Sequence, residues 1–337
     1  MSEVRRDPII GRWAIVADKE ESWGAERYDK EVHDRKHKAI CQFCSGRENQ
    51  TPPEVDAIRP FGSAPNQPGW MARVVSNKFP ALRIEGHLDK CGNGIYDVSN
   101  GIGAHEVLIE TSDHDRDLAD LSVEEIVNVV RLAQNRSISL AKDKRFKYIM
   151  LFKNYGQSAG TSIEHAHSQI IALPLVPRDV VEELEGSLDY FKFRGRCIYC
   201  DIIDQERQEQ ERIILENNAF ISFCPYVPRY PFETWIVPTE HTSDFCYLSD
   251  PDRFHLAAAL REVLLRMKKT LNDPSYNFYL HVPPVNYQET QSYHWHIEIV
   301  PQLSRVAGFE WGTGFYVVRT EPGVAAEALR NNPPGNV

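Results

Sequence analysis

The sequence lacks the features of several protein classes. No apolar run approaches the roughly 18 residues that cross a bilayer. The N-terminus, MSEVRRDPIIGRW, lacks the apolar core of a secretory signal. Positive charge is in deficit, because 48 acidic residues outnumber 38 Lys and Arg and leave a net charge of −10. These absences predict a cytoplasmic protein with no membrane and no nucleic acid as partner, although a small phosphate-bearing ligand needs only a few local donors.

Cysteine is sparse and odd in number, with seven residues in 337. An odd count without a secretory signal argues against a disulfide scaffold. Four of the seven form two Cys-x-x-Cys pairs, Cys41 with Cys44 and Cys197 with Cys200. In a cytosolic chain such pairs indicate metal sites or a redox motif. The other cysteines have no partner of this kind and are interpreted as packing residues: Cys91, Cys224 and Cys246.

The chain contains an internal repeat. EVLIETSDHDRDLADLS, residues 106–122, matches ETWIVPTEHTSDFCYLS, residues 233–249, at an offset of 127. His114 and His241 stand at equivalent places in the two copies. Each copy follows a Cys-x-x-Cys pair and leads to a His-x-His pair, which are His165 with His167 and His294 with His296. Several elements repeated in one order indicate an ancient duplication.

Each copy predicts a helix and then a strand. Ser122 with Glu125 forms a capping box at the start of the first helix, and Asp250 with Pro251 marks an N-cap and first helical residue of the second. Strand-like runs follow at 147–154 and 276–282. Apolar residues recur at helical spacing between these points, at Ile126, Val129, Val130 and Ala133, and at Leu256, Leu260, Val263, Leu264 and Met267.

We therefore expect an α+β fold with two halves of similar topology. Each half is predicted to be a mainly antiparallel sheet with flanking helices. The expected boundaries are 1–174 for the N-terminal half, 175–196 for a connector that contains a helix, and 197–329 for the C-terminal half. Residues 330–337 are predicted to form a disordered tail, and residues 18–38 a charged mobile loop.

Each half offers four candidate metal ligands. Zinc prefers tetrahedral sulfur and nitrogen ligands, and a Cys-x-x-Cys pair supplies two of them from one turn. The first predicted set is Cys41, Cys44, His114 and His165, and the second is Cys197, Cys200, His241 and His294. The prediction is two zinc ions per chain, with iron as an alternative at either site. A redox role for the CQFC or CIYC pair and scattered structural cysteines are the competing interpretations.

The pair His165 and His167 follows a loop rich in glycine and serine. In a β-strand, residues i and i+2 point to the same face, so the two rings are predicted to stand side by side. The pair has three possible interpretations: two metal ligands, one metal ligand beside one catalytic group, or two ordinary core histidines. The loop, NYGQSAGTSIEHAHSQ (154–169), has small residues through which N–H groups and hydroxyls can approach an anion. The second copy, VPPVNYQETQSYHWHIE (282–298), lacks this loop and is interpreted as the copy that kept its metal and lost its chemistry.

The pattern N-x5-G-x-S-x2-H-x-H-x-Q is formed by Asn154, Gly160, Ser162, His165, His167 and Gln169. This pattern resembles galactose-1-phosphate uridylyltransferase, a family in the histidine-triad superfamily. The resemblance extends over nearly the whole chain. It includes RRDPIIGRW (5–13), CQFCSGRENQTPPEV (41–55), RVVSNKFPAL (73–82), PYVPRYPFETWIVP (225–238) and HWHIEIVPQL (294–303).

The resemblance implies two histidine-triad-like halves and a nucleotidyl transfer by double displacement. His167 would attack the α-phosphorus of a nucleotide-sugar and release a sugar 1-phosphate, and a second sugar phosphate would then accept the nucleotidyl group. Gln169 and Ser162 complete the predicted catalytic set. The predicted substrate-binding residues are Asn77, Asn154, Gly160, Thr161, Ser162 and Gln169. A homodimer is also implied, in which residues 308–319 of one subunit reach the sugar bound by the other.

Several features depart from the commoner pattern of that family. HAHSQ stands in place of HPHGQ, a second cysteine pair is present, and Tyr316 stands where some members have a glutamate for the hexose. These features also resemble an ADP-glucose phosphorylase branch. The expected reaction is transfer of UMP between UDP-glucose and galactose 1-phosphate, with ADP-glucose phosphorylase as the alternative. A histidine-triad nucleotide hydrolase is a third possibility, but Gln169 occupies the place of the further histidine usual in such hydrolases.

Overall fold

The computed structural model describes residues 1–29, 33 and 41–334. The strands of this described part are β1 (Glu3–Arg6), β2 (Trp13–Val16), β3 (Glu54–Ile58), β4 (Ala72–Ser76), β5 (Cys91–Asn93), β6 (Tyr96–Val98), β7 (Ala104–Ile109), β8 (Tyr148–Tyr155), β9 (His167–Leu173), β10 (Ile213–Glu216), β11 (Phe220–Phe223), β12 (Thr234–Pro238), β13 (Tyr276–His281), β14 (His296–Pro301) and β15 (Tyr316–Val318). Its α-helices are α1 (Val123–Leu140), α2 (Arg178–Arg194), α3 (Ile198–Glu209), α4 (Asp250–Thr270), α5 (Gly308–Thr313) and α6 (Pro322–Arg330).

Ten strands form one continuous sheet in the order β10-β11-β12-β14-β13-β8-β9-β7-β4-β3. Each half contributes five neighbouring strands, and the order in one half mirrors the order in the other. The strands pair in antiparallel fashion throughout, including β8 with β13 at the centre, where the two halves meet. The predicted α+β fold with two duplicated, mainly antiparallel halves is confirmed. The prediction did not include the continuity of the sheet across the two halves.

The two faces of the sheet are covered by different helices. Along β12, Ile236 belongs to the apolar cluster formed with α1 and α4, whereas Trp235 and Val237 belong to a second cluster formed with α2 and α3. Alternate strand residues point to opposite faces, so both faces are apolar and both need cover. The predicted apolar stripes of α1 and α4 are buried at every named position. The connector between the halves supplies part of the cover on the second face, through helix α2.

The two helices that repeat begin in the same way. Ser122 accepts a hydrogen bond from the Glu125 N–H at 3.2 Å, and the Glu125 carboxylate accepts one from the Ser122 N–H at 2.7 Å. The predicted capping box is therefore present. In the second helix the predicted N-cap was wrong by one residue, because Ser249 rather than Asp250 is the cap. Its hydroxyl accepts from the Asp252 N–H at 3.2 Å and takes the role that Ser122 has in the first copy.

The C-terminal segment departs from the predictions. A short helix, α5, precedes β15, which pairs in parallel with β2 in a small sheet of β1, β2 and β15.

Arg330 is the last residue of α6, so the start of the predicted tail is helical, while residues 335–337 lie outside the described residues. Most of the predicted loop 18–38 beyond residue 29 lies outside them as well. Within the described chain, every helix is too short or too polar to cross a membrane.

Candidate functional site

The glycine-serine loop connects β8 to β9 and turns tightly. Gly156 and Gly160 have φ values of +81° and +88°, which favour glycine. A Cβ atom on Gly156 would also stand 1.8 Å from the Ser275 Oγ, so no larger residue fits there. The loop therefore lies directly against the second half of the chain, and its conformation depends on its two glycines.

His167 is the first residue of β9, and His165 precedes the strand. The predicted strand thus begins two residues later than the motif suggested, but both rings line the same cavity and lie edge-on to Phe43, at centroid distances of 6.2 Å for His165 and 5.4 Å for His167. The His167 Nδ1 lies 2.9 Å from the carbonyl oxygen of His165, and because a carbonyl only accepts, Nδ1 carries the proton. The lone pair of His167 then resides on Nε2. Burial and the nearby Lys153 ammonium lower the pKa of His167 to about 4, so its ring is neutral at neutral pH.

A cavity of about 990 Å³ opens in front of this ring. That volume suits a nucleotide-sized ligand. The predicted site residues that line it are Asn154, Thr161, Ser162, His165 and His167, together with Cys41 and His114 of the first metal set. The loop residues Gly156 and Gln157 and the exposed Lys78 lie in the same wall. The structure thus brings the proposed nucleophile and most of the predicted phosphate loop to one cavity.

Some predicted donors of the loop are already engaged. The Gly160 N–H donates to the Gln157 carbonyl at 2.9 Å, and the Thr161 N–H donates to the Gly156 carbonyl at 3.2 Å. The Thr161 hydroxyl donates to the Ile163 carbonyl at 3.0 Å. The expectation that the Gly160 backbone is open to a phosphate is not met in this conformation, because the loop closes on itself in tight turns. The cavity wall retains the Ser162 and Asn154 side chains.

Gln169 and Asn77 meet through a residue that the sequence analysis missed. The Nε2 of His105, on β7, lies 2.8 Å from the Gln169 Oε1 and 3.0 Å from the Asn77 Nδ2. The Ala81 N–H donates to the His105 Nδ1 at 3.2 Å, so the ring proton is on Nε2 and is donated to Gln169. The Asn77 Nδ2 is also a donor, so its contact with the same ring nitrogen is not a hydrogen bond. The amide nitrogen of Gln169 remains as its second polar group. The pairing of β7 with β9, which places Val107 opposite Gln169, brings His105 close, and no pattern in the sequence marked this residue.

A buried charged network lies behind the His167 backbone. The Lys153 Nζ donates to the Glu110 Oε2 at 2.7 Å and to the His167 carbonyl at 3.1 Å. Ser168 donates its hydroxyl to the other Glu110 oxygen at 2.5 Å. Lys153 and Glu110 are both essentially inaccessible to solvent. A lysine and a glutamate thus neutralise each other directly beneath the strand end that carries His167.

The first predicted metal set converges. The ligand atoms of Cys41, Cys44, His114 and His165 all lie within 4.8 Å of one another. The Cys44 Sγ lies 3.4 Å from the His114 Nδ1 and 3.8 Å from the His165 Nδ1. A tetrahedral zinc site with bonds of about 2.0–2.3 Å requires separations of about 3.3–3.8 Å between ligand atoms, so these residues fit the ion. The His165 Nε2 donates to the Thr111 carbonyl at 2.7 Å, which leaves the Nδ1 lone pair directed at the sulfurs.

The second predicted set converges in the same way. Cys197, Cys200, His241 and His294 also place their ligand atoms within 4.8 Å of one another. The Cys200 Sγ lies 3.5 Å from the His241 Nδ1, whose ring donates from Nε2 to the Thr290 carbonyl at 3.1 Å. Hydrogen bonding with the Cys200 thiol lowers the pKa of Cys197, which favours the thiolate that a metal binds. Both predicted sets are therefore compatible with a bound metal ion.

A third polar cluster was not predicted. Its members come from α2, β13 and β14 and are Glu183, His281, His296 and Glu298. The rings of His281 and His296 stack at 4.6 Å, and the His281 Nδ1 lies 3.0 Å from a Glu183 oxygen. Arg229 contacts Glu298 directly. Burial disfavours a charged His281, but the carboxylates of Glu183 and Glu298 outweigh it and raise the pKa of His281 to about 10.

Known proteins resemble this chain along its whole length. It is 36% identical to ADP-glucose phosphorylase of Arabidopsis thaliana, covering 97% of this chain and 92% of that protein. It is 24% identical to galactose-1-phosphate uridylyltransferase of Thermotoga maritima, covering 98% of each. The solved structure of an ADP-glucose phosphorylase from Arabidopsis thaliana with bound ADP-glucose aligns with a TM-score of 0.82 at 35% identity, covering 98% of both chains.

The family comparison accounts for both halves. The galactose-1-phosphate uridyl transferase N-terminal domain matches residues 2–177, and the C-terminal domain of the same family matches residues 183–311. Each range corresponds to one of the two halves that the internal repeat distinguishes. The chain therefore belongs to the galactose-1-phosphate uridyl transferase family.

Proposed function

We propose that this chain transfers a nucleotidyl group from a nucleotide-sugar through a covalent intermediate on His167. The observation that carries the proposal is the hydrogen bond of 2.9 Å between the His167 Nδ1 and the His165 carbonyl. It leaves the Nε2 lone pair of a neutral ring in a cavity that suits a nucleotide. A neutral imidazole is an effective nucleophile near pH 7.

In the first step, the His167 Nε2 lone pair forms a bond to the α-phosphorus. The bond from that phosphorus to the bridging oxygen breaks, and the sugar 1-phosphate leaves with the electron pair. Asn154 and Ser162 line the cavity where the leaving charge would collect, and both can donate hydrogen bonds to it. In the second step, a phosphate oxygen of the acceptor attacks the same phosphorus, and the P–N bond breaks to restore neutral His167.

Gln169 would orient the phosphoryl group undergoing transfer. Its Oε1 accepts from His105, so its amide nitrogen is the group left to donate to a phosphoryl oxygen. A neutral amide stabilises the developing charge without adding a second negative group beside the phosphates. Asn77 lies next to the same histidine and is proposed to contact the nucleoside.

Zinc is proposed as the metal of both Cys-x-x-Cys sets. When bound, zinc would brace the chain structurally and supply no reacting group. The ligand His165 belongs to the segment that leads into β9, so the first set fixes the carbonyl that holds His167. The second set would do the same for the start of β14. Iron is an alternative occupant of either set, since imidazole and thiolate also suit it.

Two pairs of donor and acceptor substrates are candidates, and they differ in the nucleobase of the donor. ADP-glucose as donor and inorganic phosphate as acceptor are supported by the Arabidopsis relative of that name, at 36% identity. UDP-glucose and galactose 1-phosphate are supported by the Thermotoga relative at 24% identity and by the matching family. We favour the adenylyl donor, because the similarity to the relative that uses it is greater. Neither choice changes the role proposed for His167.

The test uses ADP-glucose and UDP-glucose, each carrying a radiolabel on the α-phosphate. The purified chain should retain an acid-labile label from its true donor, with release of an equal amount of glucose 1-phosphate. The His167→Gly variant should retain none. His87→Gly is the matched control, because His87 is exposed and lies outside the cavity. Labelling of His167→Gly at the wild-type level would refute the proposed nucleophile, and absence of label with both donors would refute the function.

A further inference from the structure

We infer that the second half of the chain positions the phosphate site of the first half through a relay of three side-chain amides: Gln302, Asn277 and Asn154. The inference rests on the proposed function and specifies how its site is held. Asn277 on β13 lies directly opposite Asn154 on β8, where the two half-sheets join. Gln302 follows β14, and its N–H donates to the Ser275 carbonyl at 2.8 Å.

The hydrogen bonds of Asn277 fix which way its amide faces. Its Nδ2 donates to the Ala159 carbonyl at 2.9 Å and to the Asn154 Oδ1 at 2.8 Å. Its Oδ1 accepts from the Gln302 Nε2 at 2.8 Å. The carbonyl of Ala159 can only accept, so a reversed Asn277 amide would face it with an oxygen. Each hydrogen bond in the relay is therefore consistent with only one orientation of Asn277.

The orientation of Asn277 determines that of Asn154. Because the Asn154 Oδ1 is the acceptor, its Nδ2 is the group left to face the cavity. That nitrogen lies 3.9 Å from the place where a Cβ on Gly160 would stand, beside the phosphate loop. A reversed Asn154 would instead present an oxygen to the anionic phosphates of the substrate. The relay therefore keeps a donor, rather than an acceptor, at the phosphate position.

The same part of the second half also holds the loop itself. Asn277 bonds to the carbonyl of Ala159, inside the loop, and Ser275 lies against Gly156. Neither Asn277 nor Gln302 lines the cavity as the described residues form it. Both are positioning residues, which act on the substrate through Asn154. The second copy thus supports the site of the first copy through these contacts.

The test compares Asn277→Asp with Asn277→Ala. Aspartate keeps the size of the side chain and can accept from Gln302, but it cannot donate to Asn154. Asn154 should then reverse to donate to it, and its oxygen should face the phosphates. The loss of one such donor typically lowers a rate by about 10²-fold, and we expect that loss in single-turnover labelling of Asn277→Asp. Alanine removes the hydrogen bond to Asn154 without reversing the Asn154 amide. The labelling rate of Asn277→Ala should therefore fall less than that of Asn277→Asp.

A greater loss of labelling rate in Asn277→Asp than in Asn277→Ala distinguishes a positioning role from structural support. If Asn277 merely stabilises the fold, alanine should be the more damaging change, in both melting temperature and labelling rate. Gln302→Glu is the second variant, because a carboxylate there would draw the Asn277 Nδ2 away from Asn154. Asn286→Asp, at an exposed position, is the matched control. Wild-type labelling rates in both Asn277→Asp and Gln302→Glu would overturn the relay, as would a greater loss in Asn277→Ala.

A readout without substrate separates this inference from the proposed function. In protein labelled with ¹⁵N-asparagine, the side-chain amide signal of Asn154 is assigned by its loss in Asn154→Asp. The signal should shift in Asn277→Asp and in Gln302→Glu and stay in place in Asn286→Asp. If the wild-type chain takes no nucleotidyl label, the proposed function fails while this shift still tests the relay. An unchanged Asn154 signal in both variants would refute the relay even if labelling occurs.

Discussion

The carbonyl oxygen of His165 lies 2.9 Å from the Nδ1 of His167, so the main chain of one histidine orients the ring of the other. The side chain of His165 has a different set of neighbours, with its Nδ1 3.8 Å from both the Cys41 and the Cys44 sulfur. A metal on the first set would thus hold the residue whose backbone sets the tautomer of His167, the proposed nucleophile. We therefore propose separable roles for the two histidines of this short motif.

Substitution of each histidine should separate those roles. His167→Gly should keep its metal content and melting temperature and lose several orders of magnitude in turnover, because the nucleophile acts as a unit with the phosphate loop. Imidazole added to this variant should restore part of the activity. His165→Ala should lose metal and thermal stability together, with activity falling as a consequence. Metal analysis and thermal denaturation of both variants test this separation of roles. If His167→Gly loses as much metal as His165→Ala, the separation is contradicted.

The two cysteine pairs should each hold one ion. We expect about two equivalents of zinc in the wild-type chain and about one in Cys41→Ser and in Cys197→Ser, because each set has four ligands and loses its tetrahedral geometry with three. Structural zinc contributes roughly 10 kcal/mol or more in small sites, so a strong chelator should lower the melting temperature markedly. Cys91→Ser is the control, since Cys91 is exposed and outside both sets. Less than one equivalent in carefully purified protein would be incompatible with these sites.

The sequence predicted what local spacing and repetition determine. The capping box at Ser122, the buried stripes of α1 and α4, and the convergence of the two Cys/His sets all follow from short patterns that occur twice. Ser249 was missed as a cap because Asp250 and Pro251 form an equally plausible start. His165 was placed in a strand because residue spacing alone does not show where β9 begins.

Contacts between distant segments could not be predicted in this way. The third cluster needs Glu183 from the connector helix beside His281 and Glu298, and nothing in the repeat links them. The pairing of β8 with β13 joins two half-sheets whose edges look alike from sequence. The pairing of Asn154 with Asn277 depends on that junction, so the positioning role that we propose for the second half could be inferred only from the three-dimensional structure.

The pair Lys153 and Glu110 should be far more important for stability than a surface pair. Removal of one partner of a buried ion pair costs about 3–5 kcal/mol, because the other charge is left uncompensated. Glu110→Ala should therefore lower the free energy of unfolding by that order in urea denaturation. Glu182→Ala is the control, because its partner Arg178 is 87% exposed and such pairs contribute about 0–1 kcal/mol. The double variant Lys153→Met with Glu110→Leu should recover much of the loss, and a double variant as unstable as Glu110→Ala would contradict this account.

The chain is expected to form a homodimer in which the segment 308–319 reaches the site of the partner through α5, because β15 within this segment pairs with β2 of its own chain. No residue of α5 is buried within one chain, and Trp311 is 80% exposed. Aromatic side chains are enriched at protein–protein interfaces, and the neighbouring Phe309 is exposed as well. Light scattering at micromolar concentration should give twice the mass of one chain, and Trp311→Glu should shift the population towards the monomer with loss of activity. A wild-type monomer with full activity would rule out shared sites.

His105 is expected to affect activity through Gln169. Its Nε2–H is donated to the Gln169 Oε1 at 2.8 Å, which leaves the Gln169 amide nitrogen to meet a phosphoryl oxygen. In His105→Ala the Gln169 amide can rotate, so the labelling rate of His167 should fall by about tenfold, the value of one hydrogen bond of about 1.4 kcal/mol. His105→Gln retains a donor and should recover part of the rate.

Single-turnover labelling and thermal denaturation on the same samples test this role. A positioning role predicts a lower rate at saturating donor, a melting temperature close to that of the wild type, and recovery by glutamine. His87→Ala, at an exposed position, should match the wild type in both measurements. If His105→Ala and His105→Gln lose stability equally and keep the wild-type rate, the contact between His105 and Gln169 supports only the fold.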